Sequence, residues 1–203
     1  MQRAFRTALA ATALLLCARA FAQEKPARPG DGQPAPKTAK DLIRKQAPLS
    51  VQPDQYSRAM PENTRIVIHL ATQRLVLMMG DKVCLDTPIS SGKRGAPTLA
   101  GTFAVLEKIK SHESSTYGSF VDKRGRTVRS GISMKLDAAP SGTHYVADAM
   151  PHFCRFTETG FGIHAGMLPG YPASHGSIRV PEDAARFIFE KVRVGTPVEV
   201  REE

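Results

Sequence analysis

From Asn63 onwards the chain is a succession of short β-rich runs separated by turn residues, and this pattern limits it to a mainly β fold. The runs "TRIVIHL", "RLVLMM", "KVCLDTPIS" and "GTFAVLEKI" come first, and "GTHYVAD", "HFCRFT", "GFGIHAG" and "TPVEVRE" follow. Turn signals such as Gly80-Asp81 and Ser91-Gly92 separate runs rich in β-branched and aliphatic residues. "DKRGRTVRSGIS" predicts a polar hairpin or loop. We therefore predict a mainly β domain over residues 62–203.

One clear helix is predicted within this domain, over "PEDAARFIFEKV". Pro181 is suited to the first helical turn, and the acidic residues Glu182 and Asp183 complement the positive end of the helix dipole. The helical spacing predicts one apolar face, made of Ala184, Phe187, Ile188 and Val192. This helix follows the Gly-rich segment directly and is expected to cap a core built from strands.

The first 22 residues have the features of a secretory signal peptide. Arg3 and Arg6 precede an apolar run over residues 8–17, and "AFA" precedes Gln23. We predict cleavage after Ala22 and a periplasmic or cell-wall location. The apolar run is too short for a bilayer span, and no other run is longer, so we expect no integral membrane span after signal removal.

Residues 23–61 are rich in Pro, Lys, Gln and Ala, which predicts a linker without a core of its own. The net charge of +9 falls to about +6 when the three arginines of residues 1–22 are removed, since 28 − 3 − 19 = 6. This charge suits an anionic cell-wall polymer or simply a soluble basic protein. Cys84 and Cys154 either form a disulfide or stay as buried thiols.

Candidate chemistry is concentrated in "HAGMLPGYPASHGSIRVP", from His164 to Pro181. Ser177 is a possible nucleophile, and His164 and His175 are the candidate bases that it would need. Gly176 precedes Ser177, so consecutive backbone N–H groups there can point at a developing oxyanion. The residues alone leave two interpretations open: an acyl-transfer site, or a structural Gly-rich turn with two hydrogen-bonded histidines.

Other site classes are less well supported by the residues. His152, Cys154, His164 and His175 lack ligand spacings such as C-x-x-C or H-x-x-x-H, so we predict neither a metal site nor a cofactor. The basic stretch "DKRGRTVR" has no interleaved aromatic residues, so we predict no nucleic-acid partner.

"GIHAGMLPGYPASHGSIRVPEDAARFIF" resembles the signature of the L,D-transpeptidases, which is a His, a spacer, and then Ser-His-Gly-Cys followed by a hydrophobic residue and Arg or Asn. "IVIHLATQRLVLMMGDKVCLDTPISSGKRGAPTLAGTFAVLEK", "SHESSTYG" and "MPHFCRF" also resemble segments of that family. The resemblance covers Thr64 to Val200. It implies a β-rich catalytic domain that performs acyl transfer on peptidoglycan stem peptides in a cleft.

Carried over by position, the resemblance gives each residue an expected role. His164 matches the catalytic base, Ser177 stands at the nucleophile, and His175 matches a second histidine beside it. Gly176 and Ser177 would supply the oxyanion-hole amides, and Arg179 would help to place the substrate. These five residues are the predicted site.

Two departures from the family pattern are present. Leu99 replaces the proline of a Thr-Pro-x-Gly segment, which implies a minor change of turn. Ser177 replaces the nucleophilic cysteine, and a hydroxyl is far harder to ionise than a thiol, whose pKa is about 8.5. Three interpretations stay open: a serine-dependent acyltransferase or peptidase, a catalytically inactive peptidoglycan-binding pseudoenzyme, and an engineered Cys-to-Ser change.

Overall fold

The computed structural model describes residues 46–203, so the predicted signal peptide and the first part of the predicted linker lie outside the described residues. The two helices are α1 (Pro53–Arg58) and α2 (Glu182–Lys191). The strands are β1 (Ser50–Val51), β2 (Thr64–His69), β3 (Arg74–Met79), β4 (Lys82–Pro88), β5 (Gly101–Ala104), β6 (Glu107–Asp122), β7 (Thr127–Ser133), β8 (Thr143–Arg155), β9 (Gly162–Ala165), β10 (Ile178–Val180) and β11 (Pro197–Arg201). Neither helix has the length and apolar character needed to cross a membrane.

The strands form two sheets, which confirms the prediction of a mainly β fold. The first sheet has six strands in the order β1-β4-β3-β2-β11-β5, and the second has five in the order β10-β9-β8-β6-β7. Most neighbours are antiparallel, whereas β11 runs parallel to β2 and β10 runs parallel to β9. The parallel β9–β10 pair is at the edge of the second sheet, and the Gly-rich segment connects its two strands.

The core is built from the inward side chains of the strands and one face of α2. Alternate residues of β2 and β3 are fully buried, as expected for strands with one face on the core: Ile66, Ile68, Leu75 and Leu77. Each such side chain contributes about 1.5–3 kcal/mol by leaving water. Helix α2 packs on β8 and β9 through Ala184, Ala185 and Ile188.

The apolar face predicted for α2 is partly corrected by the structure. Ala185 is buried at 1% exposure, whereas Phe187 is only partly buried and packs edge-on against Tyr56 of α1 at 5.3 Å between ring centroids. Val192 is buried, but it lies one residue beyond the end of the helix. The difference arises because α1, which the sequence pattern did not predict, covers the outer side of α2.

Residues 46–61, which the sequence analysis assigns to the linker, contact the domain in this structure. Strand β1 pairs antiparallel with β4, and the side chain of Gln46 donates a hydrogen bond to the backbone carbonyl of Ile89 at 3.0 Å. Ala59 has no exposed surface and belongs to the core. The polar composition concealed this because only a few side chains of the segment face inward.

Cys84 and Cys154 are both free and buried in this structure. Burial raises the pKa of the Cys154 thiol to about 12 and also raises the pKa of Cys84. The sequence left open a disulfide or two buried thiols, and the structure contains the two buried thiols. A thiol held in its protonated form is a poor nucleophile, so neither cysteine replaces Ser177 as a reactive group.

Candidate active site

Strands β9 and β10 bring three of the predicted residues to one face of the second sheet. In their parallel register Ile178 is opposite Ile163, and Arg179 is opposite His164. The two isoleucines are buried in the core at 0% and 1% exposure. Because side chains alternate along a strand, His164 and Arg179 project from the other face, and Ser177 shares that face with Arg179.

This face borders a cavity of about 730 Å³. Strand β6 contributes His112 and Tyr117 to its wall, and the Gly-rich segment contributes Ser177. Among the described residues, Asp148 of β8 is the one carboxylate that lines it. The volume is in the range of small-molecule and peptide-binding pockets.

His164 is buried, and its ring is oriented by a backbone group. Its Nδ1 lies 2.8 Å from the carbonyl oxygen of Ala165, so Nδ1 carries the proton and donates it to that oxygen. Nε2 is left with its electron pair, and no described residue is hydrogen-bonded to it. Burial lowers the pKa of His164 to about 4, the bond to Ala165 opposes this, and the positive charge of Arg179 adds to the lowering. The imidazole is therefore neutral at pH 7.

Ser177 is 8% exposed, and its hydroxyl oxygen accepts a hydrogen bond from the N–H of Gly162 at 3.2 Å. That bond uses an oxygen lone pair and leaves the hydroxyl proton available to a base. No direct hydrogen bond joins Ser177 to His164, although both line the same cavity. A glycine is required at 162, because a Cβ there would lie 2.4 Å from the ring of Phe153.

The backbone at Gly176 adopts a conformation that side chains disfavour, with φ at +115°. A Cβ at this position would also lie 2.6 Å from the ring of Phe161. Within residues 46–203, neither the N–H of Gly176 nor that of Ser177 has a hydrogen-bond partner. Two adjacent free donors beside a hydroxyl are what an oxyanion hole requires.

The upstream segment around Ser91-Gly92 fixes the position of this loop, a role that the sequence analysis did not assign. The Thr98 hydroxyl donates to the carbonyl oxygen of Gly176 at 2.7 Å and accepts from the N–H of Gly92 at 2.9 Å. Ser174 exchanges backbone hydrogen bonds with Ser91 and Lys93. The only sequence signal for these contacts was the resemblance of the two segments to family motifs.

His175 has different hydrogen-bonding and stacking partners from His164. The Lys93 ammonium donates a hydrogen bond to its Nε2 at 2.7 Å, and the Tyr117 ring stacks on it at 4.1 Å between centroids. Burial lowers the pKa of His175, and the charges of Lys93 and Arg179 lower it further. His175 forms no hydrogen bond with Ser177 in this structure.

Four of the five predicted residues therefore line one cavity: His164, His175, Ser177 and Arg179. The fifth, Gly176, precedes Ser177 and adds a second free N–H. Lys93, Tyr117 and Thr98 are the additional residues that the structure adds to this group. Three-ligand clusters of His, Cys, Asp or Glu that could hold a metal ion are absent from residues 46–203. The arrangement is suited to acyl transfer through a hydroxyl nucleophile and a neutral imidazole base.

Comparison with solved structures shows the same fold in several L,D-transpeptidases. The L,D-transpeptidase from Mycobacterium smegmatis matches with a TM-score of 0.51 and 22% identity over 68% of this chain. L,D-transpeptidase 3 from Mycobacterium tuberculosis matches with 0.52 and 17% over 69%. The enzyme from Stackebrandtia nassauensis matches with 0.50 and 16% over 81%. The matched parts are 58%, 61% and 65% of those chains, less than two thirds of each.

No curated protein sequence matches the chain. The family model for the L,D-transpeptidase catalytic domain matches residues 63–200, which is most of the described range. The two sheets and the helix after the Gly-rich segment agree with that match. The chain therefore belongs to the L,D-transpeptidase catalytic domain family.

Proposed function

We propose that this protein is an exported acyltransferase of the L,D-transpeptidase type that acts on peptidoglycan stem peptides through Ser177. The observation that carries the proposal is the geometry of β9 and β10, which places His164, Ser177 and Arg179 on one face beside a cavity. His164 has a free Nε2, and the N–H groups of Gly176 and Ser177 are unused. We assign residues 62–203 as the catalytic domain, with residues 46–61 packed against it.

In the proposed first step the Ser177 hydroxyl attacks the carbonyl carbon of the third residue of a donor stem. The hydroxyl proton moves to Nε2 of His164 as the new C–O bond forms. The carbonyl oxygen becomes an oxyanion and accepts hydrogen bonds from the N–H groups of Gly176 and Ser177. The C–N bond to the terminal D-residue then breaks, and the leaving nitrogen takes the proton from His164.

In the proposed second step an amine acceptor resolves the ester. The acceptor nitrogen attacks the ester carbon, its proton moves to His164, and the C–O bond breaks as Ser177 regains the proton. An acceptor amine on a second stem gives a cross-link, and water in its place gives a carboxypeptidase. We assign Arg179 to substrate placement and His175 to holding Lys93, since its Nε2 already accepts that hydrogen bond.

A second candidate function, peptidoglycan binding without catalysis, is favoured by one observation. Attack by Ser177 forms an imidazolium at His164, and its burial beside Arg179 disfavours that cation, as the pKa of about 4 indicates. The Nδ1 partner is a neutral carbonyl rather than a carboxylate, so the cation gains less stabilisation than in a Ser-His-Asp triad. A pseudoenzyme would keep the cavity and its cations but lack turnover.

Incubation of the purified chain with defined muropeptides, followed by mass spectrometry, tests the proposal. A serine acyltransferase releases the terminal D-residue and gives a cross-linked or hydrolysed product, and Ser177→Ala abolishes this. Binding of the muropeptides by both the wild type and Ser177→Ala, with no product from either, supports the pseudoenzyme. The absence of both binding and product contradicts any role on peptidoglycan.

Export is tested separately, because the residues involved lie outside the described range. N-terminal sequencing of the protein from an extracytoplasmic fraction should begin at Gln23, after removal of residues 1–22. A mature chain that retains Arg3 would contradict the predicted signal peptide while leaving the assignment of the catalytic domain unaffected.

A further inference from the structure

The positive charge of residues 46–203 is concentrated in one short segment. These residues contain 19 Lys and Arg and 16 Asp and Glu, whereas residues 122–137 alone contain five of the former and two of the latter. The remaining described residues therefore have 14 of each, and the excess of three positive charges belongs entirely to residues 122–137. Such a local asymmetry of charge favours an anionic partner.

The acidic residues of this segment do not neutralise its outermost cations. Asp122 is paired with Arg126 at 2.7 Å, and Asp137 is paired with Arg129 at 2.7 Å. The other three cations are exposed and form no ion pair with a described residue: Lys123, Arg124 and Lys135. Their charges are therefore available to a partner in solution.

The turn between β6 and β7 presents two of these cations in a fixed conformation. The Asp122 carboxylate accepts a hydrogen bond from the N–H of Arg124 at 2.8 Å, and the N–H of Gly125 donates to the Asp122 carbonyl at 2.9 Å. Gly125 has φ at +76°, which side chains disfavour. Lys123 and Arg124 are at the centre of this turn, so an ordered backbone carries both side chains.

Exposed apolar side chains occur in the same segment. Val128, Met134 and Leu136 are each more than half exposed, and Leu136 reaches 88%. The turn that carries Leu136 is also ordered, because the N–H of Leu136 donates to the Ser133 carbonyl at 3.1 Å and the Asp137 carboxylate accepts from the N–H of Ser133 at 2.8 Å. A leucine held in solvent by an ordered turn contributes nothing to the core.

Strand β7 is the last strand of the second sheet, so its outer edge has no partner strand among residues 46–203. We call residues 122–137 the β7 edge. Charged side chains alone protect an edge strand from pairing with another sheet. Exposed Val, Met and Leu side chains give no such protection. Cations interleaved with exposed apolar side chains are instead typical of surfaces that bind an anionic bilayer.

We propose that the β7 edge is a peripheral binding surface for an anionic lipid bilayer. Its unpaired cations contact lipid phosphates, and the side chains of Met134 and Leu136 enter the boundary between headgroups and acyl chains. The contact does not cross the bilayer. This inference does not rest on acyl transfer by Ser177, because it concerns where the domain is held and not what it catalyses.

Co-sedimentation of the purified full chain with vesicles tests this surface. One set of vesicles contains phosphatidylcholine alone, and the other contains equal parts of phosphatidylcholine and phosphatidylglycerol. We expect binding at least about tenfold tighter to the anionic vesicles. Most of that preference should be lost at about 1 M salt, where the screening length is about 3 Å. Residues 1–22 are the same in every variant, so differences between variants come from the substituted residues.

The first variant removes charge from the tip of the β7 edge by Lys123→Gln with Arg124→Gln. Binding to the anionic vesicles should weaken by about 10–30-fold, since each cation near such a surface contributes about fivefold. The matched control is Arg58→Gln with Lys82→Gln, which removes the same charge from exposed residues of α1 and β4. This control should weaken binding by less than about threefold, because charges away from the contact are screened.

The second variant removes apolar surface without a change of charge, by Met134→Ser with Leu136→Ser. Binding should weaken by at least about tenfold, because both side chains leave water in the bound state. The matched control is Met60→Ser with Leu99→Ser. Met60 and Met134 are 55% and 54% exposed, and Leu99 is 65% exposed. This control should change binding by less than about threefold, and circular dichroism establishes that each variant is folded.

Three results would overturn the proposal. If the wild type binds neither set of vesicles, or binds both equally, the surface does not recognise an anionic bilayer. If the charge variant weakens binding and the apolar variant does not, the surface fits a polyanion such as a wall polymer and not a bilayer. If the two controls weaken binding as much as their partners do, the contact is not located at the β7 edge.

Discussion

His164 and His175 are two histidines of one cavity, and they differ in which nitrogen is free. Nδ1 of His164 donates to the carbonyl of Ala165, so Nε2 keeps an unused electron pair. In His175 the Nε2 electron pair already accepts a hydrogen bond from Lys93. Of these two rings, therefore, only His164 has an Nε2 electron pair that no described residue already uses.

The two histidines also differ in their surroundings. His164 is buried on a strand whose neighbours fix its ring, which is what a general base requires. His175 is half-buried, stacks on Tyr117 and holds a cation, which is what a binding surface requires. We call the surroundings of His164 and Ser177 the reactive side, and those of His175 and Lys93 the charged side. Each prediction below changes one side and leaves the other in place.

The largest expected effect is on the reactive side, from Ser177→Cys. Beside the free Nε2 of His164 a thiol forms a thiolate with a modest pKa shift, and that thiolate in turn favours the imidazolium. We expect stoichiometric acylation by a carbapenem, detected as a mass increase of the intact protein, where Ser177→Ala gives none. The wild type should be acylated by the carbapenem slowly or not at all.

The outcome of this experiment separates the interpretations. An inactive wild type with a reactive cysteine variant means that the protein lost only its nucleophile. A wild type whose adduct disappears in Ser177→Ala means a serine enzyme. If the folded cysteine variant forms no adduct, the cavity has diverged beyond one residue, and the acyl-transfer assignment is wrong.

The next largest effect is expected from His164→Ala in the Ser177→Cys background. Loss of a general base typically costs about 10²–10⁴ in rate, so acylation should slow by that factor. Rates of adduct formation at pH 7, measured by intact-protein mass spectrometry, give the result. A slowing of less than about threefold would mean that another group takes the proton, since that factor is far below the usual contribution of a base.

The strands and the site differ in how well the sequence predicts them. The runs from Thr64 to Pro88 are short, β-branched and bounded by turn residues, so local propensity was sufficient to predict β2, β3 and β4. By contrast, "GTHYVAD" and "HFCRFT" are parts of the single strand β8, because pairing with β6 continues through Met150 and Pro151. Pairing with a partner distant in sequence decided that outcome, and no local pattern encodes it.

Within the site, the residues on the Gly-rich segment were predictable because they are close in sequence and match a family motif. Lys93 and Tyr117 were missed because they reach His175 from separate elements, 82 and 58 residues away in the numbering. The choice of tautomer at His164 was also beyond the sequence. It depends on the carbonyl direction of Ala165, which is fixed only when β9 pairs with its neighbours.

A smaller effect is expected from pH, and it again distinguishes the two histidines. The pKa of His164 is about 4 in the folded protein against an ordinary 6.5, so the folded state binds fewer protons than the unfolded state between these values. Stability therefore falls as pH decreases through that window, by about 3 kcal/mol from this group, and changes little from it below pH 4.

Urea unfolding of the wild type, His164→Gln and His175→Gln between pH 4 and pH 7 measures this contribution. The difference in unfolding free energy between pH 7 and pH 4 should shrink most in His164→Gln, since burial lowers the pKa of His175 less strongly. If His164→Gln keeps the full pH dependence of the wild type, the imidazole of His164 is not held neutral by burial.

The smallest effect is expected on the charged side, from His175→Phe. Phenylalanine keeps a ring to stack on Tyr117 but removes the acceptor for the exposed Lys93 ammonium, a bond whose loss costs about 1 kcal/mol or less at such a site. In the Ser177→Cys background, acylation by a carbapenem should therefore slow by less than about fivefold, and urea unfolding should shift by no more than about 1 kcal/mol. A loss as large as that of His164→Ala, in a variant that remains folded, would show that His175 takes part in proton transfer. The division of the cavity into a reactive and a charged side would then be wrong.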